Sequence, residues 1–208
     1  MRHGMHRPDG PSFRRVRGMT LIELMIGIAI MGILLMLGMP SISQWLSNSQ
    51  IRTAAEATLN GLQLARGEAV RRNTNVRFQL VSSLTSGCAV STTGTHWVVS
   101  LADPAGRCDV APSETAAPQT IQKRDGAETA KAELTATGAG VVTFTGTGRP
   151  SGGAYMTQVD IANSTGGVCE HVTAGSPMRC LRILITSGGR IKMCDPKVSD
   201  ATDPRICS

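Results

Sequence analysis

The run MTLIELMIGIAIMGILLMLGM, residues 19–39, constrains this chain more than any other feature. It holds 21 residues and one charge, Glu23. As a helix rising about 1.5 Å per residue, it matches the roughly 30 Å hydrocarbon core of a bilayer. Such a segment either spans a membrane or is removed as a signal peptide. Removal calls for a shorter apolar region followed by a small-residue cleavage site. Gly38-Met39-Pro40-Ser41 matches such a site poorly, so a retained span is expected. Ahead of it lie Arg2, Arg7, Arg14, Arg15 and Arg17 against Asp9, a local charge of +4. The positive-inside rule puts that flank in the cytoplasm and the C-terminal bulk across the membrane.

This flank holds most of the formal net charge of +6, so basicity alone is no sign of nucleic-acid binding. Aromatic residues are 3% of the chain, too few for a platform that stacks single-stranded bases. A hydrophobic share of 41% excludes wholesale disorder. Cys88, Cys108, Cys169, Cys180, Cys194 and Cys207 form no CxxC pair, unlike the ligand pairs of structural zinc sites. All six follow the apolar segment, where an oxidising compartment favours disulfides. Nearest-neighbour pairing is expected, with Cys180–Cys194 as the alternative. Each such loop contributes about 3 kcal/mol.

Helical periodicity continues past Pro40. Ile42, Trp45, Leu46, Ile51, Ala55, Leu59, Leu62, Ala65 and Ala69 recur mostly every three or four residues and make one apolar stripe. One helix over about 20–73 follows, ending at Asn73-Thr74-Asn75, with a kink at Pro40. Gly61 and Gly67 weaken it by about 1 kcal/mol each. From Val76 the period becomes two. Strands are expected at 76–81, 96–101, 141–144, 158–161, 181–185 and 190–193. Residues 102–138, rich in Ala, Pro and Thr, read as a long surface loop with at most one edge strand. No internal repeat is read. The class is α+β: a long N-terminal helix packed on a small antiparallel β-sheet domain. The expected parts are a leader, 1–18; a membrane helix, 19–39; its amphipathic continuation, 40–75; and a disulfide-bearing sheet domain, 76–208.

Glu23 needs an explanation, since an acid at the centre of an apolar span costs about 2.5–3.5 kcal/mol on insertion scales. It lies near one end, where it can snorkel to the interface. Alternatively, another subunit supplies an opposite charge.

RGMTLIELMIGIAIMGILLMLGMPSI resembles the N-terminus of type IV pilins and pseudopilins. The resemblance implies cleavage by a prepilin peptidase between Gly18 and Met19, then N-methylation of Met19. Phe usually follows the cut, and this chain departs with Met. The resemblance further implies that Glu23 meets the free amine of a neighbouring subunit during filament assembly. Pro40 falls where pilin helices often carry a proline kink. The implied partners are other pilins or pseudopilins, the prepilin peptidase and an inner-membrane assembly platform. The implied location is the bacterial inner membrane, N-terminus cytoplasmic and sheet domain periplasmic, and then a filament.

Little supports catalysis. His3 and His6 precede the apolar segment, His96 and His171 are isolated, and no nucleophile elbow, HExxH or P-loop occurs. No metal or cofactor is expected. Residues 179–208 carry Arg179, Arg182, Arg190, Lys192, Lys197 and Arg205 against Asp195, Asp200 and Asp203, a local +3. Their run SGGRIKMCDP resembles the tail of the GspH/FimT group of minor pilins, a glycine turn followed by a GRxR-like strand. That element is associated with DNA uptake. The resemblance implies contact of Gly189, Arg190 and Lys192 with double-stranded DNA. Lys192 departs from the pattern's arginine, keeping charge and losing bidentate geometry. Residues two apart on a strand share a face, so Arg190 and Lys192 can meet one phosphate backbone. The competing reading is a solvated sheet edge guarded by charge. The expectation is a minor subunit that primes or caps a type IV pilus. The alternative is a minor pseudopilin of a type II secretion system. A major pilin is disfavoured by the irregular 102–138 insert, which would have to tile repeatedly.

Overall fold

The computed structural model describes residues 18–208 apart from 130, 164 and 166, and leaves the side chains of 37–41 undescribed. The leader ahead of Gly18 and the side chain of Pro40 therefore lie outside the described residues. Among the described residues one α-helix, α1 (Leu21–Arg72), precedes nine strands. The chain divides into two units, Met1–Pro40 and Ser41–Ser208.

In the first unit, Thr20 caps α1. Its Oγ1 accepts the Glu23 N–H at 3.3 Å, and its carbonyl accepts the Leu24 N–H at 3.1 Å. Thr20-Leu21-Ile22-Glu23 is thus a capping-box sequence, with the acid at the favourable end of the helix dipole. Every described side chain of the segment is exposed, the large apolar ones from Leu24 at 52% to Met36 at 81%.

In the second unit, α1 buries Ile51, Ala54, Ala55, Thr58, Leu62, Ala65 and Ala69. This is the stripe read from the sequence, with one correction. Ile42, Trp45 and Leu46, expected on the packed face, are 59%, 69% and 49% exposed. They carry the helical period but precede the point where the sheets begin to cover the helix. Gly61, expected only to weaken α1, has a packing use. A Cβ there would lie 2.9 Å from both Phe78 Cε2 and Trp97 Cη2, so glycine lets the helix reach this aromatic pair.

The helix ends with Asn73 in the left-handed region, φ 48°, while the Thr74 N–H returns to the Ala69 carbonyl. In its last turn Glu68 accepts from Arg71 at 2.7 Å and Arg72 at 2.6 Å. Those bonds, Arg71's first, lower its pKa from 4.5 to about 2. A carboxyl depressed on folding stabilises above its ordinary pKa and loses that contribution as pH falls through the folded value. Urea unfolding midpoints should therefore drop between about pH 4.5 and 2, and Glu68→Gln should flatten that acid limb while lowering the midpoint at pH 7. An unchanged limb would show that the pair adds nothing to folding.

The helix packs on antiparallel sheet, as the α+β class requires, and among the described residues the strands divide into two sheets where a single one was expected. The first has the order β3-β2-β1-β5-β6, and the second β4-β7-β8-β9. The first comprises β1 (Val76–Val81), β2 (His96–Ser100), β3 (Thr120–Arg124), β5 (Val141–Phe144) and β6 (Pro150–Ser151). The second comprises β4 (Ala132–Thr137), β7 (Gln158–Asn163), β8 (Leu181–Ile185) and β9 (Ile191–Cys194). Residues 102–138 are accordingly not one loop with an edge strand. They supply β3 and β4, an edge of each sheet, with a 3-10 turn, Gly126–Thr129, between them. The inner faces of both sheets and α1 share one apolar cluster, built on Phe78, Trp97, Phe144, Leu62, Ile161 and Ile183. A smaller cluster, Val81, Val98, Cys88 and Cys108, lies on the far side of β1 and β2.

The disulfides are Cys88–Cys108, Cys169–Cys180 and Cys194–Cys207, sequence neighbours in each case. The alternative Cys180–Cys194 pair does not form. The first bridge pins the 102–119 segment over the smaller cluster. The third draws the tail to the end of β9, where the Asp195 N–H also bonds the Arg205 carbonyl at 2.8 Å.

Candidate functional site

Two places carry the residues singled out in the sequence. The first is the head of α1, with Gly18, Met19, Thr20 and Glu23. All are exposed, and the cap on the Glu23 N–H is a role that the motif Thr-x-x-Glu signals. Among the described residues no helix is long and apolar enough to cross a membrane. The described apolar run, 21–36, is about 24 Å long at 1.5 Å per residue. It is nonetheless a continuous uncovered apolar surface, of the kind that marks a contact with lipid or protein.

The second place is the β8–β9 hairpin. Arg190 was expected to open a strand, but it closes the preceding turn instead. Leu184 pairs with Lys192 and Ile185 with Ile191, which leaves 186–190 as the turn. Gly189 N–H donates to the Thr186 carbonyl at 2.8 Å, and Thr186 N–H to the Arg190 carbonyl at 3.0 Å. Gly189, at φ +82°, occupies the left-handed position such a turn requires. Arg190 is exposed and Lys192 half-buried. Lys192 stands on the outer face with Leu184, opposite the buried Ile183 and Ile185. Among the described residues neither cation has a carboxylate within 4.0 Å. The other nearby basic residues differ. Arg182 is tied to Asp160 at 2.6 Å, Arg205 to Asp203 at 2.7 Å, and Lys197 to Glu170.

A cleft of about 370 Å³ lies between α1 and the base of this hairpin, lined by Arg52, Arg179 and Arg205. Its arginines are already paired, with Glu56 at 3.4 Å, Glu170 at 3.9 Å and Asp203 at 2.7 Å. Of the two histidines of the sheet domain, His96 is structural: its Nδ1 accepts the Gly126 N–H at 3.2 Å. Among the described residues no three His, Cys, Asp or Glu side chains gather as metal ligands would.

These features define a class: a long capped helix with an exposed apolar head, joined to a disulfide-bearing sheet domain, as in type IV pilin-like proteins. Residues 13–39 match the prokaryotic N-terminal methylation motif. Residues 54–189 match the model described as type II transport protein GspH, and the chain belongs to that family. It is a family of structural pilins and pseudopilins. No curated protein matches the chain. Solved structures similar to it include the type IV minor pilin FimU of Pseudomonas aeruginosa in two crystal forms. One is 20% identical, with a TM-score of 0.42, covering 72% of this chain and 97% of FimU. The other is 19% identical, with a TM-score of 0.43, covering 74% and 94%.

Proposed function

We propose that this chain is a minor subunit of a type IV pilus. It is cut between Gly18 and Met19, methylated on Met19, and held by residues 19–39 in the inner membrane until it enters the filament. Cleavage removes the leader, 1–18, with its arginines. It also creates an amine one residue ahead of the Thr20 cap. Glu23 of one subunit and that amine of the next make the charge pair that sets register, since an acid among apolar neighbours has a strong reason to find a cation. Residues 40–75 continue the helix from a kink at Pro40, and 76–208 form the exposed periplasmic domain. The carrying observation is the uncovered apolar segment headed by a capped acid. A pseudopilus of a type II secretion system is the second reading, favoured by the description of the matching family. The filament core, peptidase and assembly platform would be equivalent in both.

Mass spectrometry of the chain from its native cell tests this. The expected mature form begins at a methylated Met19. An intact start, or a cut beyond residue 39, would overturn the proposal.

We also propose that Arg190 and Lys192 contact double-stranded DNA, with the buried Gly189 shaping the turn that presents Arg190. Support comes from the absence, among the described residues, of carboxylate partners for Arg190 and Lys192, and from the turn that exposes Arg190. Such contact is independent of sequence and weakens steeply with salt.

A further inference from the structure

The turn that carries Arg190 has a twin. Residues 145–149, Thr-Gly-Thr-Gly-Arg, join β5 to β6, and 186–190, Thr-Ser-Gly-Gly-Arg, join β8 to β9. Both are five-residue Thr-x-x-Gly-Arg turns closed by the same bonds. In the first, Gly148 N–H donates to the Thr145 carbonyl at 2.7 Å, and Thr145 N–H to the Arg149 carbonyl at 2.9 Å. The glycines have φ of 75° and 82°. The two turns belong to different sheets, yet they meet. A Cβ on Gly189 would lie 2.0 Å from the Gly148 carbonyl oxygen, and Arg149 Nε donates to the Ser187 carbonyl at 3.5 Å. The same Gly148 carbonyl accepts from Arg66 Nε of α1 at 3.1 Å.

Three exposed guanidinium groups, from α1 and from both sheets, thus surround one glycine contact, and Lys192 follows on β9. Neither turn contains an acid, and among the described residues none of the four cations has a carboxylate within 4.0 Å. Arg66 spends only Nε on its backbone bond, which leaves the outer nitrogens of its fork for a ligand. No aromatic side chain belongs to either turn, so stacking on separated bases is not what this surface offers. Fixed guanidinium forks suit the oxygens of a phosphodiester chain.

We propose that the twin turns act as one surface for the phosphate backbone of duplex DNA, in which Arg149 is the equal of Arg190 and Arg66 braces and extends the pair. This rests on the reading of the β8–β9 end as a duplex contact and adds two residues and a second hairpin to it.

The test uses the chain from Met19 to Ser208, without the arginine-bearing leader, in a neutral detergent, with fluorescence anisotropy on a labelled duplex of arbitrary sequence between 50 and 200 mM salt. Four contacts predict a slope of log affinity against log salt of about −3 to −4. Arg149→Gln should reduce that slope by about 1, as Arg190→Gln does, and Arg66→Gln likewise. Arg149→Lys should retain it. Glutamine keeps much of the aliphatic stem, and equal melting temperatures would verify the fold. If Arg190→Gln changes the slope and Arg149→Gln and Arg66→Gln do not, the twin-turn surface is wrong and the simpler duplex contact stands. If the unsubstituted chain binds no duplex, both fall. Competition by polyglutamate as effective as that by duplex at equal charge would assign the surface to an acidic protein and overturn the proposal.

Discussion

Gly189→Ala should lower the unfolding free energy by about 2–4 kcal/mol, one of the largest losses from a single methyl group in this chain. Two costs coincide. The residue has φ +82°, where a side chain is strained, and its new Cβ would fall 2.0 Å from a backbone oxygen, that of Gly148. A backbone atom cannot rotate aside as a side chain can, so one hairpin must lift off the other. Gly148→Ala is the informative contrast. Its φ is +75°, but its Cβ would meet only Val70 Cγ2 at 3.1 Å and Arg66 Nε at 3.2 Å, both on side chains that can shift. Its cost should stay at about 1–2 kcal/mol, the left-handed backbone penalty alone. Urea denaturation of both variants measures the difference. Equal losses would mean that the contact between the turns contributes nothing to stability.

Glu23→Gln should abolish recovery of the chain in sheared filaments while leaving its amount in the membrane fraction unchanged. The backbone and the side chain of Glu23 can be separated by substitution. Its N–H is capped by Thr20, and that bond survives any substitution that keeps the helix. Its carboxylate sits in the first turn of the helix, worth about 0.3–1 kcal/mol through the dipole. A loss of that size would barely change the level of the protein. Pairing with a neighbour's amine in an apolar interior is a different matter, because breaking one partner of a buried pair costs about 3–5 kcal/mol, or more than a hundredfold in occupancy. Thr20→Ala supplies the reverse control, with a weakened cap and the charge intact. If Thr20→Ala blocks incorporation and Glu23→Gln does not, capping rather than charge pairing would be the function of this motif.

Much of the fold was legible because its elements follow single periodicities. The helix was read over 20–73 and runs Leu21–Arg72, since its apolar spacing and its Asn73 terminus are both local signals. The strands with Val, Ile and Phe on alternate positions were found within about two residues. Two of the missed strands, β4 and β6, lack those residue types, and β3 has a single one, Ile121. In β4, Ala-Glu-Leu-Thr-Ala-Thr, burial alternates without exception, but the inward positions are mostly alanine, which has little strand preference. Alternation could have revealed it where composition did not. β6 has only two residues, too few for any pattern. That there are two sheets instead of one depends on contacts between distant segments, which periodicity does not encode.

The basic site was read from one stretch of chain, 189–192. Arg149 belongs to it through a contact between hairpins, and Arg66 through a hydrogen bond from the helix, so neither could be assigned from local spacing. One signal was available. Thr-x-x-Gly-Arg occurs at 145–149 and again at 186–190, too short to register as a repeat but long enough to define a turn.

The three disulfides close loops with separations of only 20, 11 and 13 residues, and none joins the helix to a sheet. A pull applied along the helix therefore crosses no disulfide on its way into the rest of the domain. It passes through the Gly61 contact with Phe78 and Trp97, and through the hydrogen bonds of Asn48 and Arg66. Under mechanical load the rod should slip out of its sheets with every sulfur bridge intact, and reducing agent should leave the rupture force nearly unchanged.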